Sequence, residues 1–215
     1  MAKRNIICIS REFGSGGAKV GALLAQRLGI PCYDKELVYQ AAVEQSLLPE
    51  QLESVDEKPI SWTSMGFPHG IRNPYHTDFD ALYYTLNDRV FSVQAQIIRK
   101  FAEAGSCVII GRVADDVLKG DPDLISIFIH AQPEYKVRRV MARDNCSARD
   151  AADRIRKVDR ERAKYYNFYA QKPWGQCASY DLSLATSTFS IEGAAQVILE
   201  ALVWRESIQK TTPQE

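Results

Sequence analysis

A chain of 215 residues, 46% hydrophobic, has the material for one domain with a substantial core. Its 27 basic and 27 acidic residues cancel, which argues against bulk binding to nucleic acid or to a membrane surface. Five cysteines, Cys8, Cys32, Cys107, Cys146 and Cys177, form no CxxC pair, against zinc or thioredoxin-type chemistry. "MAKRNIICIS" has no long apolar leader segment and no run approaches a membrane span, so a cytoplasmic protein is expected.

In chain order, "NIICI" at 5–9 is a continuous apolar run, as expected of a strand buried on both faces. Val20, Leu23, Leu24 and Leu28 follow at helical spacing over residues 17–28. "IPCYD" reads as a short second strand and 36–46 as a helix. From Pro59 to Asp78 the chain is rich in Pro, Gly and aromatics without a period, which reads as a long loop. Tyr83, Leu86, Val90, Val93, Ile97 and Phe101 mark one face of a long helix. "CVIIG" and "LISIFIH" are two further buried strands, and Pro133 suits the first turn of a helix carrying Val137, Val140 and Met141. "SARD" at 147–150 fits a capping box that opens a charged helix to about Tyr169. "YDLSLA" is a last strand, and Ser190 is placed to cap the final helix. Alternating strands and helices imply a parallel sheet covered on both faces.

Between the first strand and its helix lies "SREFGSGG". Gly14, Ser15, Gly16 and Gly17, followed by Ala18 and Lys19, would bring backbone N–H groups and a helix N-terminus up to an anion. Against the pattern GxxxxGK[ST], Arg11 stands at the first Gly, Gly17 at the Lys and Ala18 at the Ser/Thr. GxGxxG fails too, because Lys19 occupies its third Gly, although Asp34 ends the second strand where a ribose-binding acid would lie. Phosphate binding, a structural tight turn and a nicotinamide or flavin site all fit the loop alone. Lys19 lies about 200° round the helix from position 17 and is expected to point away. Arg11, coming off the strand end beneath the loop, is the better phosphate fork.

Arg112 follows "VIIG" at the carboxyl end of a strand, where open α/β sheets bind ligands; its plain alternative is an ion pair with Asp115 or Asp116. Arg156 and Arg160, at i and i+4 with Asp159 beside them, read either as a solvated face or as a cation pair for phosphoryl transfer, which depends on charge stabilisation. "YYNFY" at 165–169 would dock a base or pack the segment, with packing favoured. His69, His76 and His130 lack metal spacing, and no Ser–His–Asp or paired-carboxylate set stands out.

Taken together, "SREFGSGG", "CYDKEL", "VIIGR.AD", "IFIHA.PEYKVRRV", "R..DRERAKYYNFY", "WG" and "YDLSLATS" resemble the cytidylate kinase-like family over about residues 5–200. The resemblance implies one α/β domain of P-loop NTPase type, a three-layer fold with a parallel sheet and helices on both faces. Its core would be 1–40, 105–146 and 178–207, with an NMP-binding insertion at about 41–104 and a helical lid at about 147–177. It implies ATP and Mg2+, with Gly14, Ser15, Gly16 and Gly17 around the ATP phosphates; Ala18 and Lys19, at the helix start, complete the candidate phosphate site. Asp34 and Arg112 would lie on the acceptor side. Arg156 and Arg160 would be lid arginines; Arg11, from its place at the strand end beside the loop, is expected to act with them in catalysis, and Asp159, beside them in sequence, to support the lid. Partners would be the nucleotide and a small acceptor, not nucleic acid or membrane, with a homodimer left open. The expected activity is ATP-dependent phosphoryl transfer to a nucleoside monophosphate such as CMP. A nucleotide sensor without turnover is the alternative and a dinucleotide-binding oxidoreductase the third. The chain departs from true cytidylate kinases at Ile110, where they carry an acid, and at Gln40, where their acceptor-side Arg lies.

Overall fold

Apolar side chains on both sides of a strand need a helical layer on each, and the structure supplies both. The structure, a computed structural model, describes residues 4–44 and 78–211. Its elements are β1 (Ile6–Arg11), α1 (Gly17–Leu28), β2 (Cys32–Tyr33), α2 (Lys35–Glu44), α3 (Asp78–Ala104), β3 (Cys107–Ile110) and α4 (Ala114–Val117). They continue with β4 (Leu124–His130), α5 (Pro133–Asp144), α6 (Ala148–Ala170), β5 (Leu182–Ala185) and α7 (Thr186–Thr211). The expected loop from Pro59 lies outside the described residues up to Asp78, which opens α3.

The five strands pair in the order β2-β3-β1-β4-β5, all parallel. Successive side chains of β1 alternate between the layers. Ile6 and Cys8 join Cys107 and Ile109 against α2, α3 and α4. Ile7 and Ile9 join Val108, Ile127 and Ile129 against α1 and α7. With β3 between β1 and β2, the sheet departs from the 3-2-1-4-5 order of dinucleotide-binding folds, so the oxidoreductase alternative lacks its frame. No helix among the described residues is long and apolar enough to cross a membrane.

Local signals place most boundaries. Ser147 caps α6 by accepting the Asp150 N–H at 3.2 Å; its hydroxyl also donates to the Asp150 carboxylate, in place of the carboxylate reaching back to the backbone as in a capping box. α7 begins four residues before Ser190, which kinks it at φ 62°; beyond the kink, Ser190 Oγ accepts the Gly193 N–H at 3.2 Å, as a cap does. Cys8 and Cys107 are buried, Cys32 is half-buried, and all five thiols are unpaired.

The segment expected as a lid is fastened at both ends. Ala151 and Ile155 of α6 pack on Val140 of α5, while Tyr166 and Ala170 join Val113, Phe128 and Tyr180. The aromatic run therefore packs: Tyr169 stacks on Phe91 with ring centroids 3.9 Å apart.

Candidate functional site

The glycine loop leaves the carboxyl end of β1 and feeds α1, in the crevice position that parallel sheets offer to ligands. Its shape is held from inside. Ser15 is fully buried and donates its hydroxyl to the Glu12 carbonyl at 2.8 Å, while Thr186 Oγ1 donates to the Ser15 carbonyl at 2.6 Å. Gly16, at φ 90°, stands where a side chain is strained and would also meet Ile191 Cδ1 at 3.1 Å and Arg139 Nη2 at 3.2 Å. The first amides of α1 have no intrahelical acceptor, so the loop mouth presents donors and a partial positive charge.

Position 17 explains the missing lysine. A Cβ there would stand 2.5 Å from Arg11 Cβ and 3.2 Å from Ile129 Cβ, so the body of Arg11 fills the space that a P-loop lysine would need. Arg11 then runs across to β3, where a Cβ on Gly111 would run into its Nη1. It thereby lines two cavities.

The first cavity, a cleft of about 560 Å³, is walled by the loop, Lys19, Arg139, Arg143 and Arg162. Arg139 donates Nε–H to the Gly14 carbonyl at 3.0 Å, which lays its guanidinium over the loop. Arg143 is paired with Asp144 and stacks over Phe13 at 4.7 Å. Arg162 donates Nη1–H to the Arg11 carbonyl at 3.1 Å. Lys19, exposed and expected to point away, lies on the cleft wall together with Gly17 and Ala18.

Arg156 and Arg160 are exposed and do not line the cleft. Ala151, Ile155, Asp159, Arg162 and Tyr166 form the inward stripe of α6, and positions 156 and 160 stand about 100° round from 155 and 159. Arg156 pairs instead with Asp153 on the outer face. Asp159 points in: it accepts the Phe13 N–H at 2.6 Å and lies 3.6 Å from Lys136 Nζ. Burial pushes its pKa up from the ordinary carboxylate value, against the opposing pull of the Phe13 N–H and of Lys136. Lys136, itself buried, also pairs with Glu12 at 3.0 Å, and Glu12 Oε2 accepts the Ala131 N–H at 3.1 Å. A lysine thus serves the loop from below, as a strut between residues 12 and 159.

The second cavity, about 90 Å³, lies beside the first among Arg11, Arg112, Glu161, Arg162, Tyr165 and Trp174. Arg112 is aimed by strained backbone: Gly111, Arg112 and Val113 have φ of 76°, 59° and 56°. A left-handed β-branched residue is a genuine outlier, costing on the order of 1–3 kcal/mol. The aromatic cluster of Phe128, Tyr166 and Tyr180 closes over Val113 and holds it there. Asp115, an expected partner of Arg112, accepts from Tyr166 Oη at 2.5 Å and from Lys172 Nζ at 3.0 Å. Burial, then the Asp115 charge, pushes Tyr166 far above the ordinary phenol value. Asp34, one strand further out, caps α2 by accepting the Leu37 N–H at 3.1 Å.

A triphosphate fits the cleft: glycine backbone, helix amides and arginines converge there. A P-loop magnesium site does not fit the described residues. Ala18 has no hydroxyl, the Ser15 hydroxyl is turned inward, and Glu12, the one acid among the described cleft residues, is already engaged.

Glu12, Lys136, Arg139, Arg143, Arg162 and Thr186 were not legible as site residues. The available signal was the spacing of Lys136, Arg139 and Arg143 at i, i+3 and i+7, one face of α5.

The sequence profile of the cytidylate kinase-like family matches residues 6–188. No curated protein sequence matches the chain. Among solved structures, an uncharacterized protein from Eubacterium ventriosum is 29% identical, with a TM-score of 0.70 over 93% of this chain and 98% of that one. Shikimate kinase from Bacteroides thetaiotaomicron, 14% identical, superposes with a TM-score of 0.53 over 93% of this chain and 99% of its own. A shikimate kinase from Acinetobacter baumannii in complex with shikimate, also 14% identical, gives 0.50 over 95% of each chain. At that identity the two shikimate kinases show the fold alone, a P-loop kinase fold. With its profile matched from β1 into the start of α7, the chain belongs to the cytidylate kinase-like family.

Proposed function

We propose that the chain transfers the γ-phosphoryl group of ATP to a small acceptor, a nucleoside monophosphate such as CMP. The carrying observation is the glycine loop at the mouth of α1, opening into a cleft walled by Arg11, Lys19, Arg139, Arg143 and Arg162. The new P–O bond forms to an acceptor oxygen, the bond from the γ-phosphorus to the β,γ-bridging oxygen breaks, and ADP leaves. Any proton on the acceptor oxygen passes to solvent. Loop amides between Gly14 and Lys19, apart from those of Ser15 and Gly17, which donate within the loop, hold the phosphates, and Arg11, shared by both cavities, spans the path of transfer. Arg112 receives the acceptor, with Asp34 at the neighbouring strand end. Arg162 takes the part foreseen for Arg156 and Arg160, since it lines both cavities. A cytoplasmic setting and small-molecule partners accompany this reading.

Gly17 and Ala18 in place of Lys and Ser/Thr favour one alternative, a sensor that binds ATP without turnover. ADP formation measured against a panel of nucleoside monophosphates and small phosphate acceptors separates the two. Turnover that depends on one acceptor supports the kinase and names its substrate. ATP binding with no ADP formed for any acceptor refutes it in favour of the sensor.

A further inference from the structure

We propose that the cleft binds a nucleoside triphosphate without a divalent cation, its own side-chain cations replacing the P-loop lysine and the magnesium ion together. The proposal rests on the reading of the glycine loop as the ATP site.

Both usual sources of positive charge are blocked by the chain itself. Arg11 Cβ stands 2.5 Å from where a Cβ at position 17 would be, so no lysine fits there. Magnesium is commonly bound by one or two carboxylates plus phosphate oxygens and waters. Glu12 is spent on the Ala131 N–H and Lys136, and Asp159 on the Phe13 N–H and Lys136. Drawing either carboxylate to a metal would leave the buried Lys136 short of a partner and release a backbone N–H, that of Ala131 from Glu12 or that of Phe13 from Asp159. Among the described residues no three His, Cys, Asp or Glu side chains converge to hold an ion.

The compensating charge is present. Arg11, Lys19, Arg139, Arg143 and Arg162 line one cleft whose lining among the described residues holds one acid, Glu12, while Arg143 pairs with Asp144 behind the wall and Arg162 lies 4.0 Å from Asp159. Arg139 is the clearest replacement, because a carbonyl rather than a carboxylate fixes it over the loop. Guanidinium groups bind phosphate oxygens bidentately and stay charged at any working pH. A metal-free triphosphate carries more negative charge than its magnesium complex, so it gains more from such a wall. Glu161, in the adjoining cavity among Arg11, Arg112 and Arg162, is the rival magnesium ligand to be tested.

The test is calorimetric titration of ATP into the full chain, once in EDTA and once in excess Mg2+, with adenosine as the uncharged control. The expected Kd in EDTA is equal to or tighter than that in Mg2+, and Arg139→Gln and Arg162→Gln each weaken ATP binding in EDTA by about fivefold or more while adenosine binding stays unchanged. ATP binding that is weaker in EDTA by more than about threefold overturns the proposal but leaves the ATP site standing. If Glu161→Gln then abolishes that magnesium dependence, Glu161 is the missing ligand. Losses below about fivefold in both arginine variants also overturn the proposal, and the Mg2+ comparison needs no variant to fold. No ATP binding under either condition refutes the proposal and the ATP site together.

Discussion

Gly17→Ala tests why this loop has no lysine. The new methyl carbon would lie 2.5 Å from Arg11 Cβ, 3.1 Å from Arg11 Cγ and 3.2 Å from Ile129 Cβ. Carbon atoms prefer to sit about 3.5–4.0 Å apart, and two of these neighbours are Cβ atoms that no rotamer change can move. The strand or α1 must shift, at about 3 kcal/mol, the upper end for an overpacked core. Alanine returns up to about 1 kcal/mol of helix propensity, leaving a net loss of about 2 kcal/mol. Urea denaturation should show that loss in the wild-type background. In an Arg11→Gly background two of the three contacts vanish, and Gly17→Ala should cost less than about 0.5 kcal/mol, a coupling of more than about 1 kcal/mol. A Gly17→Ala protein within about 0.5 kcal/mol of wild type, or an equal loss in both backgrounds, would refute the steric account.

Gly16→Val should abolish ATP binding while circular dichroism still reports a folded chain, because φ 90° and the contacts with Ile191 and Arg139 leave the loop no room to keep its shape. Asp115→Ala should destabilise the protein by about 3 kcal/mol in denaturant melts, since it strands Lys172 and the buried Tyr166 hydroxyl. Alkylation by iodoacetamide near pH 8, followed by mass spectrometry, should label exposed Cys177 first. Cys32 and Cys107, both pushed to about 11 chiefly by burial, should react slowly, because the thiolate is the nucleophile.

The layered fold was legible because its signals are local. The apolar runs "NIICI" and "LISIFIH" that became β1 and β4, the 3.6-residue stripe of α1 and the Ser147 and Ser190 caps each arise from neighbours in sequence. Spacing alone also located the glycine loop, Arg11 at its base and Arg112 at the end of β3. What spacing left open was which residues of α5 and α6 face the loop. A one-residue step turns a helix by about 100°, so Arg160 and Asp159 differ in sequence by one place and in environment entirely. The rotation of α6 was decided by Ala151, Ile155, Tyr166 and Ala170 seeking two separate apolar clusters, contacts that only the assembled layers create. The same holds for the missing lysine: its absence at position 17 was plain in the sequence. The reason, Arg11 filling the space beside Ile129, exists only because β1 pairs with β4 and α1 closes over both.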